Sequence, residues 1–245
     1  MRPTHPPYRG HAVLLLLVIV AWMLAGCSGS ANTQPRGSSS GPTPPPAAFA
    51  GTTYVALGAS DAYGIGTDDP DRLNWPSVLA GELGTPAHLV NLAIPGATVS
   101  EAQQAELPVA LDAHPALVTI WLAVNDLADG VDLKTYSQQL TTLVDALRRG
   151  TQAQIYVGNL PDLTLVPYFS SADPVALRAQ VQAWNSAIAR ICAAEGAHLV
   201  DLLVGWKDLG NHPEYISSDG LHPSTQGAAR IADAFAAAIR LAGTP

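Results

Sequence analysis

Along residues 51–245, short apolar runs alternate with stretches in which apolar positions recur every three or four residues. Thr53 to Leu57, His88 to Leu92, Leu117 to Leu122, Gln154 to Val157 and His198 to Leu202 read as strands. Most are rich in Val, Ile and Leu, as strands buried on both faces tend to be. Leu133, Tyr136, Leu140, Leu143, Val144 and Leu147 follow the helical period. So do Leu177, Val181, Trp184, Ile188 and Ile191, and again Ile231, Ala232, Phe235, Ala238 and Ile239. Strands alternating with helices predict an α/β fold, a parallel sheet covered on both faces. No internal repeat is visible. Pro161 to Ser171 is longer than a simple connection and carries Tyr168 and Phe169, which either line a site or cap the core.

A different pattern precedes this domain. Arg2 and Arg9 lead into an apolar stretch from Ala12 through Leu24, which ends in Leu24-Ala25-Gly26-Cys27. That is the three-part form of a secretory signal. The stretch is shorter than the roughly 20 residues a spanning helix needs. Its end resembles the bacterial lipobox, in which the signal is cut just before a cysteine whose thiol is lipidated. Residues 1–26 are then a signal peptide and Cys27 the lipidation site. The competing reading is an ordinary signal or a plain anchor helix, with Cys27 incidental. From Ser28 to Ala50 the chain is built of Ser, Gly, Pro, Thr, Ala, Asn and Gln, with one charge, Arg36, and one aromatic, Phe49. Such a composition buries too little apolar surface to offset the entropy of ordering. Residues 27–50 are therefore expected to be a tether, with a flexible Gly/Ser part and a stiffer Pro42 to Pro46 part. The expected location is the outer face of the bacterial cell membrane, with Cys27 as the membrane contact.

Composition narrows the partners. The formal charge is -8. Residues 1–26 hold Arg2 and Arg9 and no acid, so without them the charge is about -10. An acidic domain excludes nucleic acid as a partner held by charge. Cys27 and Cys192 are the two cysteines, so a lipidated Cys27 leaves no intrachain disulfide. Cys192 lies in an apolar helical stretch and reads as a small buried residue.

Ligands of a doubly wound sheet bind outside the C-terminal ends of its strands. Four segments fall there. Gly58-Ala59-Ser60-Asp61 follows the first strand and exposes a serine at the crevice. Alone it is no more than a turn or a helix cap. Asn91-Leu92-Ala93-Ile94-Pro95-Gly96-Ala97-Thr98 follows the second strand. Gly96, with no Cβ in the way, can bring its N–H close to a ligand. Trp121-Leu122-Ala123-Val124-Asn125-Asp126 follows the third, and Asn125 offers a side-chain N–H as an oxyanion donor or serves as a cap. Asp219-Gly220-Leu221-His222-Pro223 precedes the final helix. His222 can deprotonate Ser60 through one ring nitrogen while Asp219 holds the other. Pro223 suits the first helical position, which would fix where His222 points. A metal site needs further ligands at readable spacing. His88, His114 and His198 lie near strand starts, on the wrong edge, and His212 alone remains in a loop; no metal is expected. Together the four segments supply a nucleophile, a base, an orienter and oxyanion donors.

With these residues the chain resembles the SGNH hydrolases, also called the GDSL esterase/lipase family. The blocks occur in the family's order: Ser60 near the start of the domain, then Gly96, then Asn125 with Asp126, then Asp219 and His222. Gly64 and Gly66 after the serine, and the ending Asp219-Gly220-Leu221-His222-Pro223-Ser224, belong to the same likeness, which spans nearly all of 52–240. Two positions depart from it. Ala59 stands where the family has Asp, and Ala123 where it has Gly, adding a methyl near the oxyanion site. The resemblance implies a flavodoxin-like three-layer α/β/α sandwich with a five-stranded parallel sheet over 51–245. It implies a serine esterase with the triad Ser60, His222 and Asp219, an oxyanion hole of Ser60 N–H, Gly96 N–H and the Asn125 side chain, and no metal or organic cofactor. The partner is an ester substrate, an acyl lipid or an O-acylated carbohydrate, and the domain is expected to be monomeric. Two other readings stay open, a non-catalytic binding lipoprotein on the same fold and an acyltransferase using the same triad. Trp75, Tyr63, Tyr168, Phe169 and Trp206 are candidates for the substrate side, or for the core.

Overall fold

The computed structural model describes residues 51–83 and 88–243. The expectations for residues 1–26, Cys27 and the tether lie outside them. Five strands form the sheet: β1 (Thr53–Gly58), β2 (His88–Asn91), β3 (Leu117–Trp121), β4 (Gln154–Gly158) and β5 (His198–Val200). Every pairing is parallel, in the order β2-β1-β3-β4-β5. This is the flavodoxin-like order, with its switch point between β1 and β3.

The helices are α1 (Ser60–Tyr63), α2 (Pro70–Leu73), α3 (Trp75–Glu82), α4 (Val99–Asp112), α5 (Ala123–Ala128), α6 (Leu133–Gly150), α7 (Pro174–Glu195), α8 (Leu202–Gly205) and α9 (Thr225–Ala242). Helix α3 packs on α9 on one side of the sheet, and α4, α6 and α7 pack in sequence on the other. The inner strands β1, β3 and β4 are buried almost throughout, as their Val/Ile/Leu content predicts. The edge strands β2 and β5 are only half-buried.

Within each helical layer, neighbouring helices meet through large aromatics. Trp75 of α3 stacks on Phe235 of α9 with ring centroids 4.6 Å apart. Tyr136 of α6 meets Trp184 of α7 at 4.3 Å. Between neighbouring strands the buried Tyr54 hydroxyl meets Thr119 Oγ1 at 2.8 Å. Asn185 of α7 accepts from the Leu160 N–H and donates to its carbonyl, which pins the chain just after β4.

Two boundaries differ from the apolar pattern. The last strand stops at Val200 because the Asp201 carboxylate turns to accept the Val204 N–H and caps α8. The final helix starts at Thr225 with Ser224 as its cap, so Pro223 is not the first helical residue. Pro223 pairs instead with Ile216 in an isolated antiparallel bridge. Among the described residues no helix is long and apolar enough to cross a membrane.

Candidate active site

Ser60 opens α1 directly after β1, and as a first-turn residue its backbone N–H has no intrahelical carbonyl to bond. Asn91, at the end of β2, donates to the Ala62 carbonyl and ties α1 to the sheet. Across the crevice, residues 216–223 form a closed loop. The Ser217 N–H donates to the His222 carbonyl at 2.8 Å beneath the Ile216–Pro223 bridge. Inside it, Asp219 Oδ1 accepts the N–H groups of Leu221 and His222 at 2.8 and 2.9 Å.

The three side chains form one line. His222 Nδ1 lies 2.7 Å from Asp219 Oδ2, and His222 Nε2 lies 2.9 Å from Ser60 Oγ. Burial opposes ionisation of Asp219, but the Leu221 and His222 N–H groups, the imidazole and Ser217 outweigh it and hold the carboxyl well below its ordinary range. A carboxylate only accepts, so Nδ1 carries the ring proton and Nε2 is left to accept from the Ser60 hydroxyl.

The chain after Ser60 braces this arrangement. Gly66 has φ +96°, and a Cβ there would lie 2.5 Å from the Pro223 carbonyl oxygen and 2.9 Å from His222 Cβ. Asp68 adds two bonds to Thr225, one from its N–H and one to its carboxylate. His222 is therefore aimed by its bridge and by the Gly66 contact, rather than by the start of α9.

The oxyanion candidates sit on neighbouring turns. Asn125 Nδ2 donates to the Ala97 carbonyl at 2.9 Å, which holds the amide against the Gly96 turn. The next residue, Asp126, accepts the Val99 N–H at 2.9 Å with one carboxylate oxygen, leaving the other buried without a partner. Burial raises the Asp126 carboxyl to about 6, partly offset by the Val99 bond. Gly96 is exposed, with φ +85° and open space where its Cβ would be. Its positive φ is the backbone conformation that glycine adopts without strain.

The cleft beside Ser60 spans about 550 Å3, part of it open to solvent, at the switch point. Ser60, Asn125 and His222 line it, with a largely apolar wall that includes Leu122, Leu163, Val166, Ile216 and Leu221. The segment Pro161 to Ser171 supplies part of the wall through Pro161, Leu163, Val166 and Phe169. It is tied to the triad loop where the Tyr168 N–H donates to the Gly220 carbonyl. Of the aromatic candidates, Phe169 and Trp206 line the cleft. Trp75 is fully buried in the core, and Tyr63 and Tyr168 are exposed and do not line it. Ala59 lines the cleft, whereas Ala123 is buried in the core, so its methyl does not narrow the cleft. His212 pairs with Glu214, and no group of three or more metal-binding side chains occurs among the described residues. Cys192 is buried, which pushes its thiol up to about 12.

Two acids at this site escape the apolar pattern. Asp61 lines the cleft beside Ser60, visible only as the fourth residue of Gly-Ala-Ser-Asp. Glu106 reaches from α4 to accept the Gly58 N–H at 3.0 Å, at the end of the strand that carries Ser60. Its trace in the sequence is an acid in the stripe Ala102–Glu106–Ala110, where an apolar residue belongs.

Residues 56–230 match the GDSL-like Lipase/Acylhydrolase family, and the chain belongs to it. It is accordingly a carboxylic ester hydrolase of the SGNH type. No curated protein matches the sequence. Among solved structures it is similar to TesA, with TM-score 0.63 and 22% identity over 76% of this chain and 97% of that one. It is also similar to the esterase EstA from Pseudoalteromonas sp., with TM-score 0.62 and 20% identity over 78% and 97%. Axe2, an acetylxylan esterase from Geobacillus stearothermophilus, gives TM-score 0.59 and 17% identity over 81% and 97%. At these identities the likeness is one of fold.

Proposed function

We propose that the chain is an exported, lipid-anchored serine esterase that works through an acyl-enzyme. The carrying observation is the unbroken hydrogen-bond line from Ser60 Oγ through His222 to Asp219, at 2.9 and 2.7 Å, inside a cleft. Ser60 Oγ attacks the ester carbonyl while His222 Nε2 takes its proton, and Asp219 stabilises the imidazolium that forms. The oxyanion is held by the Ser60 N–H, the Gly96 N–H and the Asn125 amide. His222 then passes the proton to the departing alcohol. Water, activated by the same imidazole, cleaves the acyl-enzyme to acid and free serine. The apolar wall favours an apolar acyl group over an acetylated carbohydrate. The Leu24-Ala25-Gly26-Cys27 ending supports lipidation at Cys27 and placement on the outer face of the membrane, with the domain acting as a monomer.

Ser60→Ala should abolish hydrolysis of p-nitrophenyl butyrate and labelling by a fluorophosphonate probe, with the circular dichroism spectrum unchanged. A binding module would fail to label even in the wild type. Unchanged turnover in Ser60→Ala would falsify the assignment.

A further inference from the structure

Asp61 is the one acidic side chain among the described residues lining the cleft, and no Lys or Arg lines it. The carboxyl group is fixed. Its Oδ2 accepts the indole N–H of Trp75 at 3.0 Å, and Trp75 is itself locked in the core against Phe235. Burial raises the Asp61 carboxyl to about 6, with the Trp75 bond, the Asp61 and Ala62 N–H groups and His222 pulling the other way. An ionised carboxylate beside apolar wall is costly without a charged partner. Among the described residues no Lys or Arg forms an ion pair with it.

Three aromatic rings, Trp121, Phe169 and Trp206, line the same cleft. A carboxylate and aromatic residues around one cavity are the two features that recognise an ammonium group. The chain's charge of -8 attracts cations and repels anionic esters over the approach to the site. The neighbouring aliphatic wall of Leu122, Leu163 and Val166 suits the acyl tail, which leaves the charged feature for the alcohol.

We propose that Asp61 is a specificity-determining residue and that the preferred substrates are carboxylic esters of a quaternary or protonated amino alcohol. This rests on the reading of Ser60 as nucleophile in this cleft.

The test compares butyrylcholine with 3,3-dimethylbutyl butyrate, its uncharged carbon isostere, using the domain with its triad intact. The expected kcat/KM ratio favours the cation by roughly tenfold or more, in keeping with a desolvated cation–π contact. In Asp61→Asn that ratio should fall toward unity. Because the variant lacks a buried hydrogen-bonded charge, a second measurement uses the wild type alone. Tetramethylammonium chloride should compete with p-nitrophenyl butyrate where sodium chloride at the same ionic strength does not. A wild-type ratio near unity, no competition by tetramethylammonium, or an equal loss on both esters in Asp61→Asn overturns the cation assignment while p-nitrophenyl butyrate is still cleaved. Loss of all three ester activities in the wild type overturns the esterase reading, and this proposal with it.

Discussion

Glu106 sits 1% exposed between α4 and the end of β1, with one oxygen on the Gly58 N–H and the other without a partner. Burial raises its carboxyl from 4.5 to about 8, the Gly58 bond offsets part of this, and nearby Asp61 adds to it. The sign of the linkage follows. Between 4.5 and about 8 the folded chain keeps a proton at Glu106 that the unfolded chain has lost. Stability therefore falls as pH rises through that window, by up to about 1.4 kcal/mol per pH unit from this group. Glu106→Gln keeps an acceptor for the Gly58 N–H and removes the titration. The difference in Tm between variant and wild type should grow in the variant's favour as pH is raised from 4.5 to 8. A pH-independent difference in thermal melts would show that Glu106 is ionised in the fold. Asp219 acts in the opposite sense: its carboxyl is held down, so what it contributes is lost as pH falls into the acid range.

At the scale of elements, the triad depends on contact between two loops, and Gly66 is where they touch. A methyl at Gly66 meets the Pro223 carbonyl and His222 Cβ, in a backbone region that side chains rarely adopt. Gly66→Ala should cost about 1–3 kcal/mol in urea unfolding and lower kcat/KM on the order of a hundredfold, because His222 is displaced. Gly130→Ala is the control. Its Cβ enters open space at φ +74° away from the cleft, so only the backbone cost of about 1–2 kcal/mol applies. Equal activity losses in the two variants would count against the docking role of Gly66. This contact explains why the sequence told only part of the site. All five strands were legible because strand runs are apolar. The residues joined in the Ser60–His222–Asp219 hydrogen-bond line were legible through their places, Ser60 directly after β1 and the other two in the loop before α9. Helices α6, α7 and α9 were legible through their apolar stripes. Helix α4 was not: its buried stripe is Val99, Ala102, Glu106 and Ala110, two alanines and an acid, and Pro108 lies within it. Helix α3 is short, and of the two readings open for Trp75, substrate side or core, the structure has the core, against Phe235. Close approach of Gly66 to His222 joins residues far apart in sequence and leaves no periodic trace.

At the scale of the whole chain, the proposed membrane anchor has to hold an acidic enzyme. With a formal charge of -8 over the whole chain and about -10 without residues 1–26, the protein gains no electrostatic adhesion to an anionic bilayer surface and is weakly repelled by one. Among the described residues there is also no helix able to span the bilayer. In the proposed function, attachment comes from acyl chains at Cys27, each buried methylene contributing about 0.8 kcal/mol, an attraction that salt does not screen. The full chain expressed in a bacterial host and fed an alkyne-bearing palmitate should take up the label. Its mature N-terminus should map to Cys27, and it should stay with the membrane fraction through a high-salt wash. Cys27→Ala should remove the label and the cleavage at that position while leaving esterase activity in place, since the triad lies wholly within residues 60–222. Release by salt alone would identify a charge-based contact instead. Equal labelling of Cys27→Ala would place the lipid on another residue, and an N-terminus mapped elsewhere would make this an ordinary exported enzyme.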